Sequence, residues 1–291
     1  SSVSFPRPKP SIKTIRPAQI TPENSMFGGE KLKVTPTGGK LKRLGKPVEG
    51  DDLTSANIFG TDVNTVSLYN KILGDLDPKD LKNTFDDAFA QGGVTGTMRL
   101  QGRLSTPSGD GLLVTYSNQG VSMKRTFSRN KKTGEITVDH GTFELVKDLQ
   151  GKGLAKKYLK NAMELYEDIG VKSVKLEANI DVGGYAWARY GFKPPSRNYG
   201  SDMNLSMTLD RLVEAGEISS AQQLSTMKLV ERVRMGDKDA IWALSDMTAT
   251  TNSGKKLSFE LLGGTFWEGE LVLSNKLAMR RFYSYVDPDR L

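Results

Sequence analysis

The chain predicts an α+β fold built on a mixed central sheet, and three features carry that prediction. Residues 111–117, 121–128 and 135–146 read as consecutive antiparallel strands, the last two joined by the polar turn Asn130-Lys131-Lys132-Thr133-Gly134. The loop Gln150-Gly151-Lys152-Gly153-Leu154-Ala155 follows them. It opens a helix whose apolar positions Leu154, Ala155, Tyr158, Leu159, Ala162, Met163, Tyr166 and Ile169 keep to one face. Gly170 ends that helix, and in residues 171–178 Val174, Leu176 and Ala178 alternate with Lys175 and Glu177 as in a half-buried strand. A helix between two such strands makes them parallel neighbours, so the sheet is mixed.

The flanking elements follow from caps and periodicity. Residues 62–73 read as a helix, and Asp77-Pro78 begins another with an acidic cap and proline in its first turn. Leu81, Phe85, Ala88 and Phe89 give the second helix its apolar face, and residues 98–104 add a fourth strand to the meander. No convincing strand precedes these helices; one is expected to be missing or supplied from the amino-terminal arm. After Phe192, Pro194-Pro195 breaks the chain, and residues 205–215, 219–235 and 237–247 read as helices. Residues 257–262 and 265–273 read as late strands completing the sheet, and 275–286 as a terminal helix. The expected organisation is an extended arm (1–50), a core (51–202), a helical insertion or accessory subdomain (203–250), and sheet completion with a terminal helix (251–291).

The loop at 150–155 is suited to an anion. Glycines let the backbone approach a phosphate, the first helical turn offers unpaired N–H groups and the positive end of the dipole, and Lys152 adds a charge. Gln150-x-x-Gly153-x-Ala155 resembles the Gln/Arg-x-x-Gly-x-Gly/Ala signature of the GNAT N-acetyltransferases. Gly183-Gly184-Tyr185-Ala186-Trp187-Ala188-Arg189-Tyr190-Gly191-Phe192 resembles that family's closing helix with its terminal Gly-Phe. The resemblance runs from the meander to Phe192. It implies a GNAT-like sheet, acetyl-CoA as cofactor, pyrophosphate held by the amides of Gly151 to Ala155, and a pantetheine arm lying between two splayed strands.

Acyl transfer to an amine needs a proton acceptor and a donor to the leaving thiolate. His140, the chain's one histidine, lies in the strand before the loop, and Glu144 and Glu177 lie on the strands that would flank a cleft. Each has a bland alternative: a packed histidine, or solvated strand carboxylates. The family often has a tyrosine four residues before the glycine of Gly-Phe. Here that position is Trp187, with Tyr185 and Tyr190 displaced around the helix; an aromatic cluster of this kind also reads as core. The departure leaves open an inactive, structural use of the fold.

Composition narrows the classes. Zero cysteines exclude disulfides, thiolate metal sites and a cysteine nucleophile, and one histidine argues against a transition-metal site, so no metal is expected. No apolar run reaches the roughly 20 residues of a membrane span, and the polar, proline-rich start does not read as a signal peptide, so no membrane insertion is expected. Residues 1–50 hold ten Lys/Arg against three Asp/Glu, a net of +7, while the remaining 31 basic and 31 acidic residues cancel. Seven of the twelve prolines also fall there, so the arm should be extended. Val3, Phe5, Ile12, Ile15, Ile20, Met26 and Phe27 suit an arm laid over other protein subunits, with nucleic acid as the alternative partner. Ala240-Ile241-Trp242-Ala243-Leu244 and Ala278-Met279-Arg280-Arg281-Phe282 resemble phage-encoded GNAT-like proteins. The expectation is a phage virion or assembly protein with a GNAT-like fold, anchored by its basic arm, with an active acetyltransferase and arm-mediated nucleic-acid binding as alternatives. Its expected location is the virion, or else the cytoplasm.

Overall fold

Long alternating strands dominate the middle of the chain, and each finds its sequence neighbour. In the computed structural model, which describes residues 41–90, 95–106, 109–178, 183–194 and 204–290, β2 (Thr97–Thr106), β3 (Gly109–Ser117), β4 (Val121–Arg129) and β5 (Ile136–Leu145) form an antiparallel meander. β6 (Val171–Ala178) joins β5 in parallel through the crossover helix α4 (Leu154–Asp168), and β7 (Trp267–Val272) closes the edge antiparallel to β6. A two-residue strand, β1 (Ile58–Phe59), runs parallel to β2 at the other edge. The sheet therefore has seven strands in chain order, and with ten helices among the described residues the class is α+β.

One face of the sheet is the core face. Met98, Leu100, Leu112, Val114, Tyr116, Met123, Phe127, Val138, Val174, Leu176, Trp267 and Leu271 are all buried, and they occupy alternate strand positions as the pleat requires. After a short first helix, α1 (Gly50–Ser55), helices α2 (Val63–Leu73), α3 (Pro78–Phe89) and α4 pack against this face. Phe85 stacks on Tyr116 at 5.2 Å between centroids, and Tyr166 meets Phe127 edge-on at 5.8 Å. The opposite face presents Arg99, Gln101, Thr115, Lys124, Thr126, Asp139, Lys175, Glu177 and Glu268, half-buried or exposed.

The Asp77 cap is as the sequence predicts: its side chain accepts from the Lys79 amide, with Pro78 in the first turn of α3. Asp62, read as the first helical residue, instead caps α2 by accepting from the Thr65 amide. After β6 come α5 (Gly183–Arg189), α6 (Leu205–Glu214), α7 (Ser220–Arg234) and α8 (Ala240–Asp246), then α9 (Leu257–Leu262), and after β7 the terminal helix α10 (Lys276–Val286).

Three expectations are revised. Residues 257–262 form the helix α9 and not a strand. Leu257, Phe259 and Leu261 alternate with Ser258 and Glu260 as in a strand, but six residues are too few for that period to exclude a helix, and five of the six, Ser258 included, are buried. The strand missing from the sequence reading is β1, whose two residues are too few to show alternation. Residues 41–48 belong to the packed body: Val48 is 1% exposed, Leu44 N–H donates to the Asp75 carbonyl, and Arg43 bonds the Leu73 carbonyl and the Asp168 carboxylate. The extended reading of residues 1–40 lies outside the described residues.

Candidate functional site

The site is built where three local irregularities coincide at the far end of β5. The parallel ladder to β6 ends at His140↔Leu176, although β5 continues to Leu145 and β6 to Ala178, so as a hydrogen-bonded pair the two strands part there. Immediately beyond, the β4–β5 ladder slips: Met123 pairs with Phe143 and Arg125 with His140, two steps on β4 against three on β5. The extra residue makes a β-bulge at Gly141 and Thr142 opposite Lys124, and such bulges re-aim a strand. After a short 3-10 turn (Lys147–Leu149) the glycine loop then feeds α4.

The loop has the conformation its glycines permit. Gly151 and Gly153 stand at φ +75° and +74°, the left-handed region that costs an L side chain about 1–2 kcal/mol. Gly153 is the N-cap of α4 and lends its amide neighbours no side-chain acceptor. The first turn holds no acidic residue, while Lys156 and Lys157 lie within it and exposed Lys152 precedes it. Burial holds the Lys156 ammonium below the usual lysine range. Gln150 is exposed and its amide donates to the Leu145 carbonyl at 3.0 Å, tying the loop back to the end of β5. Leu154 and Ala155 are buried and anchor the helix start. The arrangement offers helix-terminal amides and positive charge to an anion at the mouth of the parted strands.

The candidate proton-transfer groups separate by face. His140 points to the helices: it is buried, its Nε2 lies 2.8 Å from the Tyr166 hydroxyl, and its Nδ1 has no hydrogen-bond partner. Burial, and then the Arg125 guanidinium, hold its pKa well below the ordinary histidine range, so it is neutral at physiological pH. Glu144 and Glu177 are exposed and alternate with core-facing neighbours, which puts both on the opposite face together with Asp139. Burial raises the Asp139 carboxyl, Lys175 opposes that, and Glu177 and Glu268 reinforce it. Tyr185 and Tyr190 are packed away from solvent. Tyr185 lies edge-on to Phe259 of α9, and Tyr190 packs on Phe282 and Tyr285 of α10. Burial pushes the Tyr190 phenol far above the tyrosine range.

Sequence reasoning passed over Arg125, Tyr158 and the bulge. Arg125 had a visible signal: in β4 it stands in register with Val121, Met123 and Phe127, where the alternation calls for an apolar side chain. The bulge had none beyond one glycine, because register slips belong to a pair of strands. No group of three or more potential metal ligands is found among the described residues, and no helix among them is long and apolar enough to cross a membrane. Compared with protein-family models, curated proteins and solved structures, the chain matches none.

Proposed function

We propose that this chain binds a coenzyme A thioester, in the manner of a GNAT-like fold, with the pyrophosphate on the amides of Gly151 to Ala155 and the pantetheine arm between the parted ends of β5 and β6. One observation carries the reading: the glycine loop opens α4 at the point where the β5–β6 ladder stops. A pyrophosphate needs convergent N–H donors, and an amide-bearing arm needs a strand edge that no other strand occupies. Isothermal titration with acetyl-CoA tests it. Binding in the micromolar range that weakens at least about tenfold, or 1.4 kcal/mol, in Gly153→Ala supports the reading. Absence of heat at millimolar ligand refutes it.

Whether the bound thioester reacts depends on the groups around it. Asp139, Glu144 and Glu177 are carboxylates on the face away from the helices near the parting, alongside Lys124, Lys175 and Glu268, and transfer of an acyl group to an amine would use one of the three, directly or through water, to take the amine's proton. Neutral His140 and core-packed Tyr185 and Tyr190 favour a second reading: the fold serves as a scaffold in a phage virion or similar assembly, anchored through the basic arm. Deleting residues 1–40 should then abolish incorporation into particles while the body stays folded. Normal incorporation of the truncated chain refutes that reading.

A further inference from the structure

Arg125 is the one fully buried arginine among the described residues, and its surroundings give it a task. It is 2% exposed. Desolvating a guanidinium costs several kcal/mol unless its donors are satisfied, and such residues are normally matched to a carboxylate. Here the partners are different in kind. Nε donates to the Tyr158 hydroxyl at 3.2 Å, and Nη1 donates to two backbone carbonyls, Lys124 at 2.8 Å and Thr142 at 3.3 Å. The guanidinium also lies over the rings of Tyr158 and Phe143, at 5.3 and 5.9 Å.

Those two carbonyls are the two sides of the bulge. Lys124 is the β4 residue that faces the extra residue of β5, and Thr142 belongs to the bulged pair Gly141-Thr142. One nitrogen bridging both strands holds the slipped register closed on the β4 side. The Tyr158 bond ties the same group to the second turn of α4, the helix whose start carries the glycine loop. A single side chain therefore connects the bulge, the parting of β5 from β6 one residue away at His140↔Leu176, and the anion-binding helix. An apolar residue at this position would pack equally well but would leave the bulge free to relax into a regular ladder.

We propose that Arg125 is a positioning residue for the coenzyme site: by bridging the Lys124 and Thr142 carbonyls it locks the bulge that parts β5 from β6, and so keeps the cleft for the coenzyme's amide arm open. The proposal rests on the coenzyme reading above. Its consequence is a split between two halves of one ligand. The nucleotide–pyrophosphate half meets the loop and not the parted strands, so it should be insensitive to Arg125.

The test compares the full chain with Arg125→Met and Arg125→Lys by calorimetric titration with coenzyme A and, separately, with 3′-phospho-ADP. Arg125→Met should weaken coenzyme A at least about tenfold while leaving 3′-phospho-ADP within about twofold. Arg125→Lys, which can reach one carbonyl but not bridge two, should fall between. In the ligand-free protein, amide hydrogen exchange at residues 141–145 should quicken in Arg125→Met by about tenfold or more relative to β3. Equal loss of both ligands, or unchanged coenzyme A affinity with unchanged exchange, overturns the assignment. A wild-type chain that binds neither ligand refutes the coenzyme reading instead, and the exchange experiment still decides whether Arg125 holds the bulge. If Arg125→Met does not fold, Arg125→Lys carries the same comparison.

Discussion

The sharpest stability prediction concerns Asp86, which joins α3 to the start of the meander. Its carboxylate is buried and accepts three bonds: Lys82 Nζ at 2.6 Å, the Gly96 amide at 2.9 Å and the Tyr116 hydroxyl at 2.8 Å. Lys82 is itself buried. Asp86→Ala leaves an ammonium, an amide and a phenol without their acceptor. The uncompensated charge alone costs about 3–5 kcal/mol, and each neutral donor adds about 1–3 kcal/mol unless water enters. Lys82→Met is the informative comparison, because the carboxylate then keeps two of its three donors and the apolar side chain fills the space. Its loss should be about 1–3 kcal/mol, the scale of one charge-assisted hydrogen bond. Urea denaturation followed by far-ultraviolet circular dichroism reads both midpoints. Asp86→Ala is expected to be the more damaging by at least about 2 kcal/mol. Equal losses, or a larger loss in Lys82→Met, would refute it.

Two further predictions concern pH and the amino-terminal boundary. His140 is neutral in the folded protein and has its pKa depressed by burial and Arg125, so below pH 6.5 the unfolded chain binds the proton first and stability falls with pH. The loss at pH 5.5 relative to pH 7.5 should be on the order of 1 kcal/mol from this one group. His140→Gln should flatten the slope over that window, and an unchanged slope would show that other groups set it. Deleting residues 1–40 should leave the midpoint of unfolding within about 0.5 kcal/mol. Deleting through residue 48 should cost at least about 2 kcal/mol, since Val48 loses its buried site and Arg43 its bonds to Leu73 and Asp168.

Much of the frame was legible because its signals are local. The meander announces itself by alternation and turn residues, α3 by Asp77-Pro78, and α4 by an apolar face bounded by Gly153 and Gly170. The glycine loop was legible for the same reason: two positive φ values in three residues call for glycine. Errors fell where the local signal was degenerate. The run 257–262 is apolar enough for either element, and only its place among neighbouring helices made it helical. The candidate acids and bases were named by residue type, but their faces depend on a bulge. One extra residue at Gly141 and Thr142 returns Phe143 to the side of His140 and sends Glu144 to the side of Asp139 and Glu177.

By itself, the sequence determined the α+β class, the order of meander, loop and helix, and the left-handed glycines that open the helix, because period, caps and glycines act within a few residues of themselves. Tertiary structure alone decided that β5 and β6 part at His140↔Leu176, that His140 is a neutral buried group, that Tyr185 and Tyr190 belong to the core, and that Arg125 bridges the bulge. Each of these depends on which strand or helix lies opposite. Register and burial are properties of pairs of segments distant in the chain, and no single stretch of sequence carries them.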